Sequence, residues 1–471
     1  MAATAFAGRR LHFIAIGGAG MSALALVAHA LGAEVTGSDR AESSYLPRLR
    51  EVGIEPVIGH SPDGFAPGDA VVRATAVADD NPELAGARAA GAPILHRADL
   101  LAEIAALGRS IAVSGTHGKT TTAAMTTHAL VEAGRDPAYL IGGKLRASGV
   151  NAAWGEGGWI VVEADESDRS FLKLAPDVAV VTNAELDHHA TYRSTAELEG
   201  AMAQFAALAP VRIVWERLGL DLPPGGRTVT FGLGAGDLAA DDLDLRRLGA
   251  RFRVEGVPVE LRVPGRHNVL NALAALAACR EAGLELPEAA AALTSFAGTG
   301  RRFEPRGRAC SGAEVYDDYA HHPTEVKATL EAARTLGPQR LVACFQPHLY
   351  SRTRHLAREF GAALALADLV VVLEIYPSRE RVEDYPGVSG RLVAAATADA
   401  AGGRAVYWAP RMADGEALLR RELRDGDVLL TLGAGDVDRL ADALADDGLP
   451  GASGAAPALA TSPTSAPEPN P

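Results

Sequence analysis

The sequence predicts an α/β chain of three domains in series, and three observations carry that prediction. Its 471 residues exceed what one ordinary core accommodates. The composition, 48% hydrophobic and 22% charged with 50 glycines, is that of a globular α/β protein. Short apolar runs also alternate with helical stretches three times over, the rhythm of strand-helix-strand units around parallel sheets.

The first series runs from Leu11 to about Ile104 through "LHFIAI", "SALALVAHAL", "EVTGSD", "DAVVRAT" and "APILHR". The second starts at "SIAVSG" and passes "GWIVVEADESD" and "DVAVVTNAELDH" to the alanine-rich helix "NVLNALAALAACREAG". Within it, Leu218 to Asp244 reads as surface strands and turns without chemistry. The third begins near Thr299 and includes "AEVYDDYAHHP", "RLVACFQPH", "DLVVVLEIY" and "DVLLTLGAGD". After Asp447 the chain holds almost no large apolar residue and reads as a disordered tail. The expected divisions are 1–107, 108–298, 299–446 and the tail 447–471.

A formal net charge of −14 argues against general nucleic-acid binding. No uncharged apolar run is long enough to span a bilayer, and the start "MAATAFAGRRLHF" lacks the pattern of a signal segment, so a cytoplasmic protein is expected. Cys279, Cys310 and Cys344 are far apart and odd in number, which predicts buried free thiols and neither disulfides nor a zinc knuckle. Of 45 basic residues only Lys119, Lys144, Lys173 and Lys327 are lysine.

One of those lysines stands in "SGTHGKTTT". The common phosphate loop is G-x-x-x-x-G-K-[ST], but here Val113 occupies the first glycine position. Strand "IAVSG" ends at Gly115, Thr116, His117 and Gly118 form the turn, and a helix follows. The helix N-terminus would face a phosphate, with Thr121 in its first turn. Lys119 would reach the outer phosphates and the Thr120 hydroxyl the accompanying magnesium. A chain that favours arginine so strongly has kept a compact ammonium where a phosphate cradle needs one.

"WIVVEADESD" delivers Glu163 at a strand end, the usual seat of a magnesium ligand, while Asp168 is placed nearer the surface helix. "VAVVTNAELDHHATY" puts Asn183, Glu185, Asp187, His188 and His189 beyond another strand, and His188 is the choice for a second magnesium. In "PGRHNVLNALAAL", Asn271 and its neighbours can read an adenine edge, although helix capping by Asn268 fits equally well. "GTGRRFE" sets Arg301 and Arg302 at the junction with the third domain, where one can swing to a γ-phosphate.

Near the N-terminus, "FIAIGGAGMSALALVAHALGAEVTGSD" gives Gly18-x-Gly20 after a strand, with Asp39 about twenty residues on. This is a Rossmann fingerprint, with a diphosphate on the helix N-terminus and Asp39 on a ribose. It keeps an NAD-dependent dehydrogenase as a competing hypothesis. Two diphosphate cradles in one chain are better explained by ATP plus a nucleotide-linked substrate.

Taken together, "AIGGAGMS", "GSD", "GTHGKTTT", "EADESDRSFL", "TNAELDHH", "GRHNVLNA", "GTGRRFE", "DDYAHHPTEV" and "QPHLYSRT" resemble the Mur ligase family over roughly residues 10 to 445. The likeness is to the branch that joins L-alanine to UDP-N-acetylmuramate in peptidoglycan precursor synthesis. It implies a Rossmann-like N-terminal domain for the UDP sugar, a central P-loop-type ATPase domain and a Rossmann-like C-terminal domain that closes and brings the amino acid. ATP and magnesium are implied as cofactors, and the expected assembly is a monomer or homodimer.

Carried over by motif, Lys119 and Thr120 serve the ATP phosphates and the first magnesium. Glu163 and His188 are implied as magnesium ligands, Asn271 as an adenine contact, Arg302 as the γ-phosphate arginine and Asp318 as a ribose contact. Gly18, Gly20, Met21, Ser22, Ser38 and Asp39 are implied at the UDP sugar. Thr75 is expected to supply the hydroxyl in "RATAV", where the family commonly has a serine-rich segment. Tyr319, His348 and Arg352 are implied to line the alanine pocket. After His348 this chain has Leu349 where many relatives carry a basic residue, so carboxylate binding rests more on Arg352. No lysine lies between Lys173 and Lys327, unlike branches that use a carbamylated lysine. The ligase that adds a tripeptide to the same sugar nucleotide is the nearer alternative; "GGAGMS", "GTGRRF" and "DDYAHHP" favour the alanine branch.

Overall fold

The structure is a computed structural model that describes residues 4–445, so the tail expected over 447–471 lies outside the described residues. Among the described residues no helix is long and apolar enough to cross a membrane.

The three series of the sequence form three sheets. In the first, Arg10–Ile14 lies centrally, with Glu34–Asp39 and Val57–Ile58 on one side and Ala70–Arg73 and Ile94–His96 on the other, all parallel. The winding reverses at Arg10–Ile14, so the turn that follows it opens into a crevice.

The second sheet has ten strands. Its phosphate-loop strand, Arg109–Ser114, lies between Trp159–Glu163 and Val178–Val181, parallel to both. That placement brings three strand ends to one crevice. Val178 and Val180 enter one hydrophobic cluster and Ala179 and Val181 another, because helices cover both faces; hence the unbroken apolar run. Val211–Trp215, Arg227–Leu233 and Leu238–Arg246 extend the sheet in parallel, and Gly249–Val254 and Val257–Leu261 finish it antiparallel. Leu218–Asp244 is therefore not mere surface: Val229, Phe231, Leu238 and Ala240 are buried in the sheet's core. Its turns and charged residues masked that in the sequence.

The third sheet orders Glu304–Arg308, Glu314–Asp318, Asp427–Leu432, Arg340–Phe345, Leu369–Leu373 and Ala405–Ala409, the first antiparallel and the rest parallel. Cys279 and Cys344 are buried as expected, but Cys310 is exposed, since it sits in the turn joining the antiparallel pair.

Polar contacts cross both seams between domains. Arg97 pairs with Asp165 at 2.6 Å, Lys173 with Asp99 at 2.5 Å, and Asn151 donates to the Ala19 carbonyl at 2.7 Å. Asp168 accepts from the Ser170 N–H at 2.9 Å at the start of the short helix Ser170–Lys173, and its other oxygen faces the first domain, accepting from the Thr75 hydroxyl. At the other seam Arg352 pairs with Asp187 at 2.9 Å, and Arg247 with Glu314 at 2.8 Å.

Candidate active site

The phosphate loop is built by its glycines and fastened by the neighbouring strand end. Gly115 and Gly118 adopt φ of 127° and 79°, where a side chain is strained. The His117 N–H donates to Asn183 Oδ1 at 2.9 Å, and Asn183 Nδ2 donates back to the His117 carbonyl at 2.9 Å. The Thr116 hydroxyl donates to the Glu185 carbonyl and accepts from the Glu185 N–H, at 2.8 and 2.9 Å. Behind the loop, Lys119–Glu132 is helical and no side chain caps its first turn, so its leading N–H groups point into the crevice.

Lys119 donates to the Gly115 carbonyl at 2.6 Å and pairs with Glu166 at 2.9 Å. Burial opposes its charge, but Glu166, Asp165 and Glu163 together hold the ammonium protonated. Glu166, 1% exposed, is a partner that the sequence did not single out among four nearby acids. Glu163 accepts from the Gly142 N–H at 2.8 Å.

The cleft in front of the loop has a cavity volume of about 180 Å³. Its walls come from two domains: Gly118, Thr121, Asn183 and Asn271 from the second, Arg302, Asp318 and Glu325 from the third. Burial raises Asp318 to about 6 against the pull of Arg302 and of the Phe303 and Ala320 N–H groups, which donate to its carboxylate at 2.8 and 2.7 Å. Arg302 stands 3.7 Å from Glu325 and over the Tyr319 ring. Asn271 accepts from Thr122 and donates to Asn268. Asn268 does not cap its helix: Gly265 is the N-cap, with φ 98°, and the Asn268 amide donates to the Pro264 carbonyl.

An apolar wall of Trp215, Phe231, Val263 and Phe296 closes the end of the cleft. Trp215 and Phe231 are register partners on adjacent parallel strands, which sets them side by side. An aromatic pair beside two carboxamides is a seat for a flat heteroaromatic base. Phe231→Ala is expected to raise KM for a purine nucleotide about tenfold, as loss of one base-aromatic contact does, with kcat little changed; steady-state kinetics checks this.

His117 is clamped by Glu185 at 3.5 Å and Glu325 at 3.4 Å, one from each domain. Although burial disfavours its charge, the two carboxylates raise the imidazole to about 9. A histidine raised in the folded state stabilises fully below its unfolded value, and here that contribution fades as pH rises through about 9.

The residues expected at magnesium suit a hard cation. Thr120 is buried at the helix start, Glu163 offers a carboxylate, and His188 has a buried Nδ1 without a hydrogen-bond partner.

At the first domain, Gly18 is the N-cap of the helix Ala19–Ala30 with no side-chain cap. Asp39 accepts from the Gly17 N–H at 2.9 Å and so holds the turn. Gly20 lies 3.4 Å, at a notional Cβ, from Arg97 Nη1, a basic neighbour that the sequence did not reveal. Met21 is buried, and Ser22 and Ser38 spend their hydroxyls inside the protein, on the Ala19 carbonyl and on Glu83. The Thr75 hydroxyl bridges Asp168 and His96.

In the third domain Tyr319 packs on His321, and His348 stacks on Tyr376 and contacts Arg352. Leu349 N-caps the helix Tyr350–Leu364 with φ 72°.

Known proteins share this arrangement. Residues 10–109 match the Mur ligase family catalytic domain, 113–279 the Mur ligase middle domain and 301–435 the Mur ligase glutamate ligase domain. The chain is 45% identical to the UDP-N-acetylmuramate--L-alanine ligase of Rubrobacter xylanophilus, over 92% of this chain and 99% of the relative. The crystal structure of UDP-N-acetylmuramate-alanine ligase from Thermotoga maritima superposes with a TM-score of 0.81 at 31% identity, covering 93% and 98% of the two chains. A murein peptide ligase from Psychrobacter arcticus follows at TM-score 0.70 and 25% identity, with the same coverage. With the three domains matched in chain order around one two-domain cleft, the chain belongs to the Mur ligase family.

Proposed function

We propose that this chain is an ATP-dependent ligase that joins L-alanine to the lactyl carboxylate of UDP-N-acetylmuramate, releasing ADP and phosphate. The observation that carries the reading is a phosphate loop whose cleft is completed by Arg302 and Asp318 of a second domain, in a chain matched almost end to end by L-alanine ligases. The peptide-ligase reading is the weaker match, with a TM-score of 0.70 and 25% identity against 0.81 and 31%, and no relative supports the dehydrogenase among those compared.

The base lies against Trp215 and Phe231, the ribose hydroxyls at Asp318, and the phosphates over the Gly115–Lys119 turn. The lactyl carboxylate attacks the γ-phosphorus while the bond to the bridging oxygen of ADP breaks, giving an acyl phosphate. Lys119 and Arg302 offset the charge gathered on the transferring group. Magnesium, when bound by Thr120, Glu163 and His188, supplies further charge neutralisation at the phosphates. The alanine amine then adds to the acyl carbon, loses its proton, and phosphate leaves. The first domain holds the UDP diphosphate at the Gly18–Gly20 turn, with Arg97 beside it. A cytoplasmic location belongs to the same proposal, since the reaction consumes ATP.

Asp318 sets an acid limit. Protonation through about 6 removes an acceptor for the ribose, so KM for ATP is expected to rise as pH falls below that value; Asp318→Asn should hold KM high and level over the same range.

The test is phosphate release from ATP with magnesium and UDP-N-acetylmuramate, with L-alanine, glycine, L-serine, the tripeptide or no acceptor. Release that requires both the sugar nucleotide and L-alanine supports the reading. Release with the tripeptide alone moves the chain to the peptide-adding branch, and no release with any acceptor rejects it.

A further inference from the structure

Among the described residues one group of histidines and carboxylates brings its possible ligand atoms within 4.8 Å of one another: His117, Glu185 and His322. His117 stands in the phosphate-loop turn, Glu185 follows the strand Val178–Val181 of the second domain, and His322 precedes the helix Pro323–Arg334 of the third. Glu185 Oε2 lies 3.5 Å from His117 Nε2 and 3.8 Å from His322 Nδ1. The two rings are tilted, with centroids 4.6 Å apart. These spacings exceed a good N–H···O hydrogen bond, and His117 Nε2 makes none. They approach the edge of a tetrahedron around zinc, about 3.4 Å when each ligand stands about 2.1 Å from the ion.

The surroundings support the same use. The other nitrogen of His117, Nδ1, faces Glu325 at 3.4 Å, the carboxylate-histidine pairing that orients a ligating imidazole. Glu185 Oε2 accepts from the Thr324 hydroxyl at 2.5 Å, which holds the carboxylate in place. Burial keeps the His322 ring neutral, with a lone pair to offer. Its Nδ1 accepts a long bond from the Thr324 N–H, at 3.4 Å, which an ion would replace. The proton that Glu185 and Glu325 keep on His117 leaves as the ion enters. Access is open, since His117, Glu185 and Thr324 all line the cleft. The set shares no residue with Thr120, Glu163 and His188. Two imidazoles and one carboxylate favour zinc or cobalt over magnesium, which prefers oxygen ligands.

We propose that His117, Glu185 and His322 form a binding site for a borderline divalent ion, zinc or cobalt, that ties the third domain to the phosphate loop. The site goes beyond the ligase reading and does not depend on it.

The experiment uses the full-length protein without substrates, with magnesium in excess to occupy the oxygen-rich site. Zinc is titrated against a chromophoric chelator, cobalt is followed by its visible absorption, and melting temperature is read with and without zinc. One zinc per chain is expected at the cluster, with the cobalt bands of a four-coordinate ion and a higher melting temperature. His322→Asn keeps an acceptor at the helix N-cap and removes the imidazole. Glu185→Gln removes the charge from a partly exposed side chain. Each should weaken zinc by more than about a hundredfold and abolish the rise in melting temperature. Glu325→Gln, which alters only the supporting carboxylate, should weaken zinc about tenfold to a hundredfold. His355→Asn, at an exposed histidine outside the cluster, should bind as the native protein does. Melting without metal checks that each variant is folded, and Glu185→Gln decides the matter should His322→Asn fail that check. Zinc binding of native strength in His322→Asn or Glu185→Gln, a loss in His355→Asn equal to theirs, or no zinc bound by the native protein would overturn the proposal. Because no readout requires turnover, failure of the ligase assay would leave this result standing.

Discussion

Lys119→Ala is expected to lower ATP-dependent turnover by about a thousandfold, the scale for removing a preorganised charge from a transferring group. The ammonium is held by the Gly115 carbonyl and Glu166, close to where the phosphates would lie. Its loss also strands Glu166 as a buried charge, which costs about 3–5 kcal/mol of stability. A Lys119→Ala, Glu166→Gln double variant separates the two effects: its melting temperature should recover toward the native value while turnover stays lost. Turnover that recovered along with stability would mean that Lys119 is structural. Lys119→Arg keeps the charge but brings a planar fork to a site shaped for a compact ammonium, and should rescue little.

Gly115→Ala is the second large effect. A Cβ there would meet Thr182 Oγ1 at 2.1 Å and the Asn183 backbone at 3.0 Å, on a residue whose φ of 127° already excludes most side chains. The Thr182 hydroxyl is not free to swing away, since it donates to the His117 carbonyl at 2.5 Å. Relief therefore requires the loop to part from the strand end that fastens it. Overpacking and backbone strain together cost about 2–4 kcal/mol. Calorimetry should show that loss, and nucleotide titration a failure to bind ADP, while Gly134→Ala, at a helix end with open space around it, loses only the strain of its positive φ and keeps binding.

These two positions were legible from sequence because the strand, glycine turn and helix follow one another without a break, and the backbone pattern itself makes the site. Glu163 and the Asn183–His188 run were legible for a related reason: strand ends converge when the winding order reverses between them. Side-chain pairing was harder. Nothing in "EADESD" tells which acid turns inward to Lys119, and it is Glu166 that does. The apolar wall of Trp215, Phe231 and Phe296 was hidden because an aromatic residue that lines a cleft carries the same signature in sequence as one in the core. Phe231 belongs to both, being 1% exposed while lining the cleft. Contacts between domains were the least accessible. Arg97 on Asp165, Thr75 on Asp168 and Arg352 on Asp187 join residues 68, 93 and 165 positions apart, a distance that no local pattern spans.

Isotope transfer tests the central claim most directly. UDP-N-acetylmuramate labelled with oxygen-18 in its lactyl carboxylate, incubated with ATP, magnesium and L-alanine, should yield UDP-N-acetylmuramoyl-L-alanine together with inorganic phosphate that carries one oxygen from that carboxylate, both read by mass spectrometry. The label reaches phosphate only if the carboxylate attacked the γ-phosphorus. Unlabelled phosphate, or label retained wholly in the sugar nucleotide with no alanine attached, would contradict the account.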